Sequence, residues 1–181
     1  MPLPRENFYT IDDIYNLPDG QRAELIDGQI YNMAPPSRKH QDILSFLHLT
    51  IGNYIIQNNG NCKIYPAPFA VFLENDKCTY VEPDISVICD PDKLDDRGCN
   101  GAPDWIIEIV SPGSKSMDYY TKLALYRAAG VREYWIVDPQ RQVILVYDME
   151  HGEGPVIRSF NDSIPVMIYP GFSVDFSLFK F

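Results

Sequence analysis

Residues 104–115 read DWIIEIVSPGSK, and the apolar centre of this stretch predicts a short buried β-strand that carries one glutamate. Alternate side chains of a strand share a face, so Glu108 lies on the same side as Ile106 and Val110. Removing a lone carboxylate from water is costly unless a partner or a proton compensates its charge. Glu108 therefore either faces water or lies beside a cation.

A second carboxylate stands at the start of a neighbouring strand in the sequence. YVEPDISVIC, at 80–89, predicts a strand with Pro83 at its entry and Asp84 directly after it. If this strand is the sheet neighbour of the one that carries Glu108, the two carboxylates approach each other. They then repel unless a divalent cation or a shared proton joins them. Carboxylate oxygens suit Mg²⁺ or Mn²⁺, so a metal site is one explanation of Glu108.

The segment 111–130 predicts a loop and a helix on which Lys122 shares a stripe with Asp118 and apolar side chains. This setting predicts a lysine that is only partly exposed. Lys122 is thus the candidate cation to hold a nucleophilic water or a phosphate beside a metal. The alternative needs no metal, because Glu108 then pairs with Lys122 or Lys115. Asp118 in that case forms no more than an i,i+4 ion pair with Lys122.

The rest of the chain predicts helices packed on a mixed sheet, an α/β or α+β domain that spans residues 1–181. Asp27-Gly28 indicates a hairpin turn. The predicted helices cover 11–18, 40–57 and 116–129, the last closed by Gly130. The predicted strands cover 23–33 as a hairpin, 62–73, 80–89, 105–110, 131–138 and 142–148, with short strands and turns in 155–181.

Composition excludes several classes of protein. The 181 residues carry a net charge of −10, which argues against a generic nucleic-acid binder, although the segment 109–141 is mildly basic. No apolar run approaches the roughly 20 residues of a membrane span, and the N-terminus lacks the apolar region of a signal peptide. We therefore expect a soluble, cytoplasmic protein. None of the four cysteines forms a CxxC pair, which predicts free thiols rather than a zinc site or a disulfide framework.

Several of these segments together resemble one family. AELIDGQIY at 23–31, PD at 83–84, GAPDWIIEIVSPGS at 101–114 and AGVREYWIVDP at 129–139 occur in order, with D-x-x-x-K-x-x-x-Y at 118–126. This string is similar to the Uma-two family, a restriction-endonuclease-like branch of the PD-(D/E)XK nuclease superfamily. The resemblance covers nearly the whole chain, from about Glu24 to about Phe172.

The resemblance implies a restriction-endonuclease-like central mixed sheet flanked by helices. It also implies that Asp84 and Glu108 hold a divalent metal, Mg²⁺ or Mn²⁺, with the backbone carbonyl of Ile109 as a further ligand. Glu24 would be an additional acid near the site. The superfamily's lysine two residues after the glutamate is replaced here by valine, so the cation is expected from the following helix, as Lys122.

The function implied is metal-assisted hydrolysis of a DNA phosphodiester, with a homodimer as the expected assembly. Two alternatives are also compatible with the sequence. One is a binding or assembly module that keeps the nuclease fold without hydrolysis. The other is an acid/base enzyme in which Asp84 and Glu108 share a proton. Residues 111–114 either present backbone N–H groups to a phosphate or form an ordinary strand-to-helix turn, and the turn is favoured.

Overall fold

The computed structural model describes residues 8–73, 77–152 and 154–180. Its α-helices are α1 (Ile11–Tyr15), α2 (Arg38–Gln57) and α3 (Lys122–Ala129). Its strands are β1 (Ala23–Ile26), β2 (Gln29–Asn32), β3 (Lys63–Pro66), β4 (Val71–Phe72), β5 (Ile85–Ile88), β6 (Leu94–Asp95), β7 (Gly98–Asn100), β8 (Trp105–Ile109), β9 (Glu133–Asp138), β10 (Val143–Asp148), β11 (Val156–Ser159), β12 (Ser163–Pro165) and β13 (Ser173–Asp175). No helix of the described residues combines the length and apolar character that crossing a membrane requires.

A six-stranded mixed sheet forms the centre of the fold, in the order β11-β10-β9-β8-β5-β3. Strands β8 and β9 pair in parallel, and the other pairs of this sheet are antiparallel. Helix α2 and the C-terminal strands cover one face, whereas α3 and the small sheet β4-β7-β6 cover the other. The predicted fold class, a mixed sheet flanked by helices, is confirmed.

Strand β8 is buried on both faces, which explains its nearly continuous apolar sequence. Trp105 contributes to the core on the α2 side, where its ring meets that of Trp135 edge to face, with centroids 4.9 Å apart. Ile106 and Val110 contribute to the core on the α3 side. The predicted alternation of faces is confirmed, and Glu108 points toward α3.

Helix α2 follows its predicted apolar spacing, since Ile43, Leu47, Ile51 and Ile55 are all buried against the sheet. The helix starts at Arg38, two residues before the predicted start. Ser37 causes the earlier start, because its side chain accepts a hydrogen bond from the backbone N–H of His40 at 3.2 Å. His40 is thereby fixed in the first turn of α2.

The helix that carries Lys122 begins with a π-helical turn, Met117–Thr121, which continues directly into α3. Apolar spacing does not distinguish a π turn from an α-helical turn, so the sequence did not predict it. Gly130 ends α3 in the left-handed conformation, with φ of 91°, as predicted.

The predicted hairpin turn and the predicted strand over 62–73 have different outcomes. The hairpin turn is confirmed, because Asp27 and Gly28 have φ angles of 49° and 74° between β1 and β2. The strand predicted over 62–73 divides instead into β3, at the edge of the central sheet, and β4, in the small sheet. Proline lacks the N–H that a sheet ladder needs, and Pro66 and Pro68 lie where the two strands separate.

The prediction of four free thiols is wrong for Cys62 and Cys89, which form a disulfide with an S–S distance of 2.07 Å. Cys78 and Cys99 are thiols, as predicted. The antiparallel register of β3 and β5 places Cys62 opposite Cys89 just beyond the paired residues, with Cα atoms 3.9 Å apart. Sequence spacing alone did not reveal this register.

Loss of the disulfide is expected to lower the free energy of unfolding by about 3 kcal/mol, because the bridge restricts an unfolded loop with a sequence separation of 27. Chemical denaturation of the double variant Cys62→Ser/Cys89→Ser measures this loss. Cys78→Ser is the control, since it leaves the bridge intact. Titration of four thiols in denatured, unreduced protein would contradict the bridge.

Candidate active site

The candidate site lies where β5 and β8 present their carboxylates to each other. Ile85 pairs with Ile107 in the antiparallel register, so Asp84, one residue before β5, stands opposite Glu108. The backbone N–H of Asp84 points at Oε2 of Glu108, with a distance of 3.4 Å. The two strands are therefore neighbours, and the structure brings the two carboxylates together.

Lys122 supplies the cation beside Glu108. Its Nζ lies 2.9 Å from Oε1 of Glu108 and 2.9 Å from both carboxylate oxygens of Glu24. Asp118, one helical turn earlier, has an oxygen 3.9 Å from the same nitrogen. Lys122 is 4% exposed, so it is fully enclosed rather than partly exposed. The predicted ion-pair alternative for Glu108 thus has a direct counterpart in the structure.

Two buried tyrosines, one on α3 and one on β9, connect the helix of this cluster to the sheet. Tyr126, one turn after Lys122, donates its hydroxyl to Oε1 of Glu108 at 2.6 Å. Tyr134 on β9 donates to the backbone carbonyl of Asp118 at 2.9 Å, inside the π-helical turn. The helix that carries Lys122 is therefore attached to β8 and β9 by hydrogen bonds as well as by apolar packing.

Asp84 has its own set of hydrogen bonds. Its Oδ2 accepts the backbone N–H of Ile109 at 2.7 Å and lies 3.1 Å from Nε2 of His40. In the part of the chain that the structure describes, no donor is assigned to Oδ1. Burial alone would lower the pKa of His40, but the hydrogen bond and charge of Asp84 and the Ile109 backbone raise it overall. His40 therefore orients Oδ2 of Asp84 and leaves Oδ1 available to a ligand.

The site is rich in carboxylates, because Glu24, Glu108 and Asp118 surround Lys122 and Asp84 lies next to Glu108. Burial and the neighbouring carboxylates raise the pKa of Glu108 well above its usual value, against the opposing effect of Lys122. Burial likewise raises the pKa of Asp118 to about 6. Burial disfavours the charge of Lys122, yet the surrounding carboxylates raise its pKa well above the usual value.

A raised carboxyl pKa means that the folded protein binds protons more tightly than the unfolded chain does. The stabilisation from a protonated Asp118 is therefore present at low pH and is lost as the pH rises through about 6. Any two of these carboxylates that are ionised together repel each other. A divalent cation would relieve this repulsion and lower both carboxyl pKa values.

The residues at Asp84 and Glu108 fit Mg²⁺ or Mn²⁺ by their chemistry. Both offer carboxylate oxygens, and Asp84, with its side chain 16% exposed, is open enough to admit water. Among the described residues, no group of three or more His, Cys, Asp and Glu is arranged to hold a metal. A magnesium ion commonly uses only one or two carboxylates and completes its shell with water and substrate phosphate. The two carboxylates therefore meet this minimum.

The strand-to-helix segment forms a turn, as favoured from the sequence. Ser111 and Ser114 exchange hydrogen bonds, with each backbone N–H donating to the hydroxyl of the other serine at 3.0 and 3.2 Å. Ser114 also donates its hydroxyl to Asp118 at 2.5 Å. These two N–H groups are satisfied within the turn, which orients Asp118 instead of presenting them to a phosphate.

The structure brings five residues predicted from the sequence to one place: Glu24, Asp84, Glu108, Ile109 and Lys122. No prediction from the sequence linked His40 or Tyr126 to the site, although their side chains contact Asp84 and Glu108. The recurrence of Asp118, Lys122 and Tyr126 at intervals of four residues is the signal that could have identified Tyr126. Nothing in the sequence links His40 to Asp84.

A surface cavity of about 290 Å³ lies beside the site, between α1 and β1. Glu82 forms the wall between the two, because its side chain binds Arg22 and Tyr80 while its backbone N–H donates to Glu24 at 3.0 Å. The cavity therefore borders Glu82, which contacts Glu24, rather than Asp84 and Glu108 themselves.

Comparisons with known proteins agree with this fold. The Uma2 family, described as "Putative restriction endonuclease", matches residues 6–178. "Uncharacterized protein slr1290" of Synechocystis is 30% identical over 106 residues, which are 59% of this chain and 54% of that protein. The match thus spans about half the length of that relative.

A solved structure shares the same fold. It is a crystal structure of "a putative nuclease belonging to DUF820" from Anabaena variabilis, with a TM-score of 0.74 and 22% identity. The alignment covers 93% of this chain and 95% of that chain. The fold inferred from the sequence is confirmed, and the family match over most of the chain shows that this protein belongs to the Uma2 family.

Proposed function

We propose that this protein is a metal-dependent endonuclease that hydrolyses phosphodiester bonds of DNA with Mg²⁺ or Mn²⁺. The observation that carries the proposal is the approach of Asp84 and Glu108 from two neighbouring strands, with Lys122 held against Glu108. The description of the Uma2 family and the nuclease title of the structural neighbour support the same class of reaction.

Each residue has a distinct role in the proposal. Asp84 and Glu108, with the backbone carbonyl of Ile109, would hold the metal. A bound Mg²⁺ or Mn²⁺ supplies a water of lowered pKa and a positive charge for the phosphate oxygens. Lys122 adds a fixed positive charge for the water or the phosphate, and Glu24 positions its ammonium group.

A second candidate function is a DNA-binding or assembly module without hydrolysis. The observation in its favour is that the ammonium of Lys122 pairs directly with Glu24 and Glu108. Val110 also occupies the position where the superfamily's lysine would stand. In this alternative the lysine serves stability, and the fold presents a surface rather than a reaction centre.

The proposal further includes a single domain, a homodimer and a cytoplasmic location. Nucleases that cut both strands often pair two copies of their site, and the edge strand β11 exposes Val156 and Ile157, at 46% and 66%, where a second copy would pack. Cytosolic proteins rarely hold disulfides, so the Cys62–Cys89 bridge is expected to be reduced in that compartment. Sedimentation of the purified protein measures its oligomeric state. Thiol labelling in cells measures whether Cys62 and Cys89 are reduced.

Glu108→Gln is expected to abolish cleavage, with a loss of about 100-fold or more, because the neutral amide no longer supplies a charged metal ligand. The assay uses supercoiled, linear duplex and single-stranded DNA, and RNA, with Mg²⁺ or Mn²⁺ and with chelator. Cleavage by the unmodified protein should require the metal.

Glu133→Gln is the matched control for that variant. Glu133 is also a buried glutamate, but it lies at the opposite end of the adjacent strand and accepts hydrogen bonds from Trp135 and Ile168. It should keep the activity of the unmodified protein. Equal activity of the Glu108 variant would reveal a contaminating nuclease or a different site. No cleavage of any substrate would favour the binding module.

Lys122→Met is expected to reduce cleavage by about 100-fold or more while Mn²⁺ binding persists. The ammonium competes with a metal for Glu108, so its removal should not weaken Mn²⁺ affinity. The variant should also lose about 3 kcal/mol of stability without metal, because its carboxylates lose their buried counter-charge.

Calorimetric Mn²⁺ titration and thermal melting with and without Mn²⁺ test this prediction for Lys122. The double variant Lys122→Met/Glu24→Gln removes one charge of each sign. It is the variant to assay if Lys122→Met alone does not fold. Unchanged cleavage would exclude Lys122 from the reaction and direct attention to Lys115 or Arg127.

His40→Leu is expected to weaken Mn²⁺ affinity by about 10-fold or more, because Asp84 loses the donor that orients its Oδ2. His40→Gln, whose amide can replace the Nε2–H donor, should bind Mn²⁺ nearly as well as the unmodified protein. His48→Leu on the same helix is the control. The role of His40 is contradicted if the leucine variant binds Mn²⁺ with unchanged affinity.

A further inference from the structure

Three basic side chains from separate segments converge on the turn after β9. Lys115 has its Nζ 3.8 Å from Oδ2 of Asp138, and Arg141 has its Nε 4.0 Å from the same oxygen. Lys39, in the first turn of α2, donates its ammonium to the backbone carbonyl of Pro139 at 3.3 Å. We call Lys39, Lys115 and Arg141 the basic rim.

Asp138 acts as the buried anchor of this rim. Its side chain is 1% exposed, and Oδ1 accepts the backbone N–H groups of Gln140 and Arg141 at 3.0 and 3.1 Å. Tyr119 donates its hydroxyl to Oδ2 at 3.0 Å. Three donors thus already bind the carboxylate, and the cations of Lys115 and Arg141 lie further from it.

The basic rim keeps a surplus of positive charge at the surface. The side chains of Lys115 and Arg141 are 42% and 62% exposed, and Lys39 is also exposed. Two of these cations, Lys115 and Arg141, face the one buried carboxylate of Asp138 there. Arg38, next to Lys39, adds no net charge because it forms an ion pair with Asp42 at 2.5 Å. This surplus contrasts with the net charge of −10 of the whole chain.

The rim lies at the same end of the sheet as the candidate site. Glu108 pairs with Ile136 in the parallel register, so Asp138 is two residues further along the adjacent strand. Strand spacing of about 4.8 Å and a rise of about 3.3 Å per residue place the Cα of Asp138 about 8 Å from that of Glu108. Lys39 also precedes His40, which contacts Asp84.

We propose that the basic rim is the surface on which duplex DNA lies, with Lys39, Lys115 and Arg141 each contacting a backbone phosphate beside the cleavage site. This inference rests on the proposed nuclease function and adds the position of the duplex. A duplex carries one negative charge per about 1.7 Å of its axis, so a few neighbouring cations engage several phosphates. Contacts of this kind position the duplex without reading its sequence.

The test compares the affinity of the protein for a labelled duplex at several salt concentrations, in chelator so that cleavage does not interfere. The triple variant Lys39→Gln/Lys115→Gln/Arg141→Gln should bind about 30-fold more weakly at low salt. The slope of log affinity against log salt should decrease in magnitude by about 2 to 3. Arg141→Gln alone should change the slope by about 1.

Arg132→Gln is the matched control, because Arg132 is 42% exposed like Lys115 but lies at the opposite end of β9, where it pairs with Asp104 and Glu150. It should leave duplex affinity and slope unchanged. Calorimetric Mn²⁺ titration should give the same affinity for the triple variant as for the unmodified protein. Thermal melting checks that each variant is folded.

Each outcome of the salt titration decides the inference. Unchanged affinity and slope in the triple variant, or an equal loss in the Arg132 variant, would overturn the basic rim while leaving the nuclease proposal intact. Preferred binding of RNA or single strands would overturn the choice of duplex. No binding of the unmodified protein to any nucleic acid would count against both the rim and the proposed substrate, and is therefore distinguishable from failure of the rim alone.

Discussion

The buried ammonium of Lys122 is the constraint on which the arrangement of this protein depends. It lies between carboxylates from β1, β8 and its own helix, each enclosed by the protein. Charges removed from water in this way are tolerated only when all partners are present together. The cluster therefore requires the hairpin, the central sheet and α3 to assemble in one arrangement. A bound metal would act on groups whose positions this requirement already fixes.

The parallel pairing of β8 and β9 gives the site its direction. Their carboxyl ends lie at the same end of the sheet, where Glu108, Ile109 and Asp138 are close together. The helix that connects the two strands places Lys122 at this end as well. The carboxylates here are inside the fold, whereas the cations of the basic rim are on its surface. The overall acidity of the chain is thus compatible with an anionic substrate, because the sign of the charge differs between the interior and the rim.

The parts of this arrangement that depend on local periodicity were predictable. Strand alternation placed Glu108 on the face toward α3, helical spacing placed Lys122 beside Asp118, and the Asp27-Gly28 turn fixed the hairpin. The contact between His40 and Asp84, and the bridge between Cys62 and Cys89, were not predictable. Both depend on how one element is placed on another in three dimensions, and spacing along a single chain does not contain that information.

The π-helical turn at Met117–Thr121 has a consequence for how this chain tolerates length changes. Such a turn is in effect one residue inserted into an α-helix. Deleting one residue from that turn would restore regular helical geometry and leave Lys122 and Tyr126 on the face that meets Glu108. Deleting one residue between Lys122 and Tyr126 would instead rotate Tyr126 away from that face by about 100°, because α3 is a regular helix there. The π-helical turn is therefore the place where this helix can lose a residue without losing its contacts with the sheet.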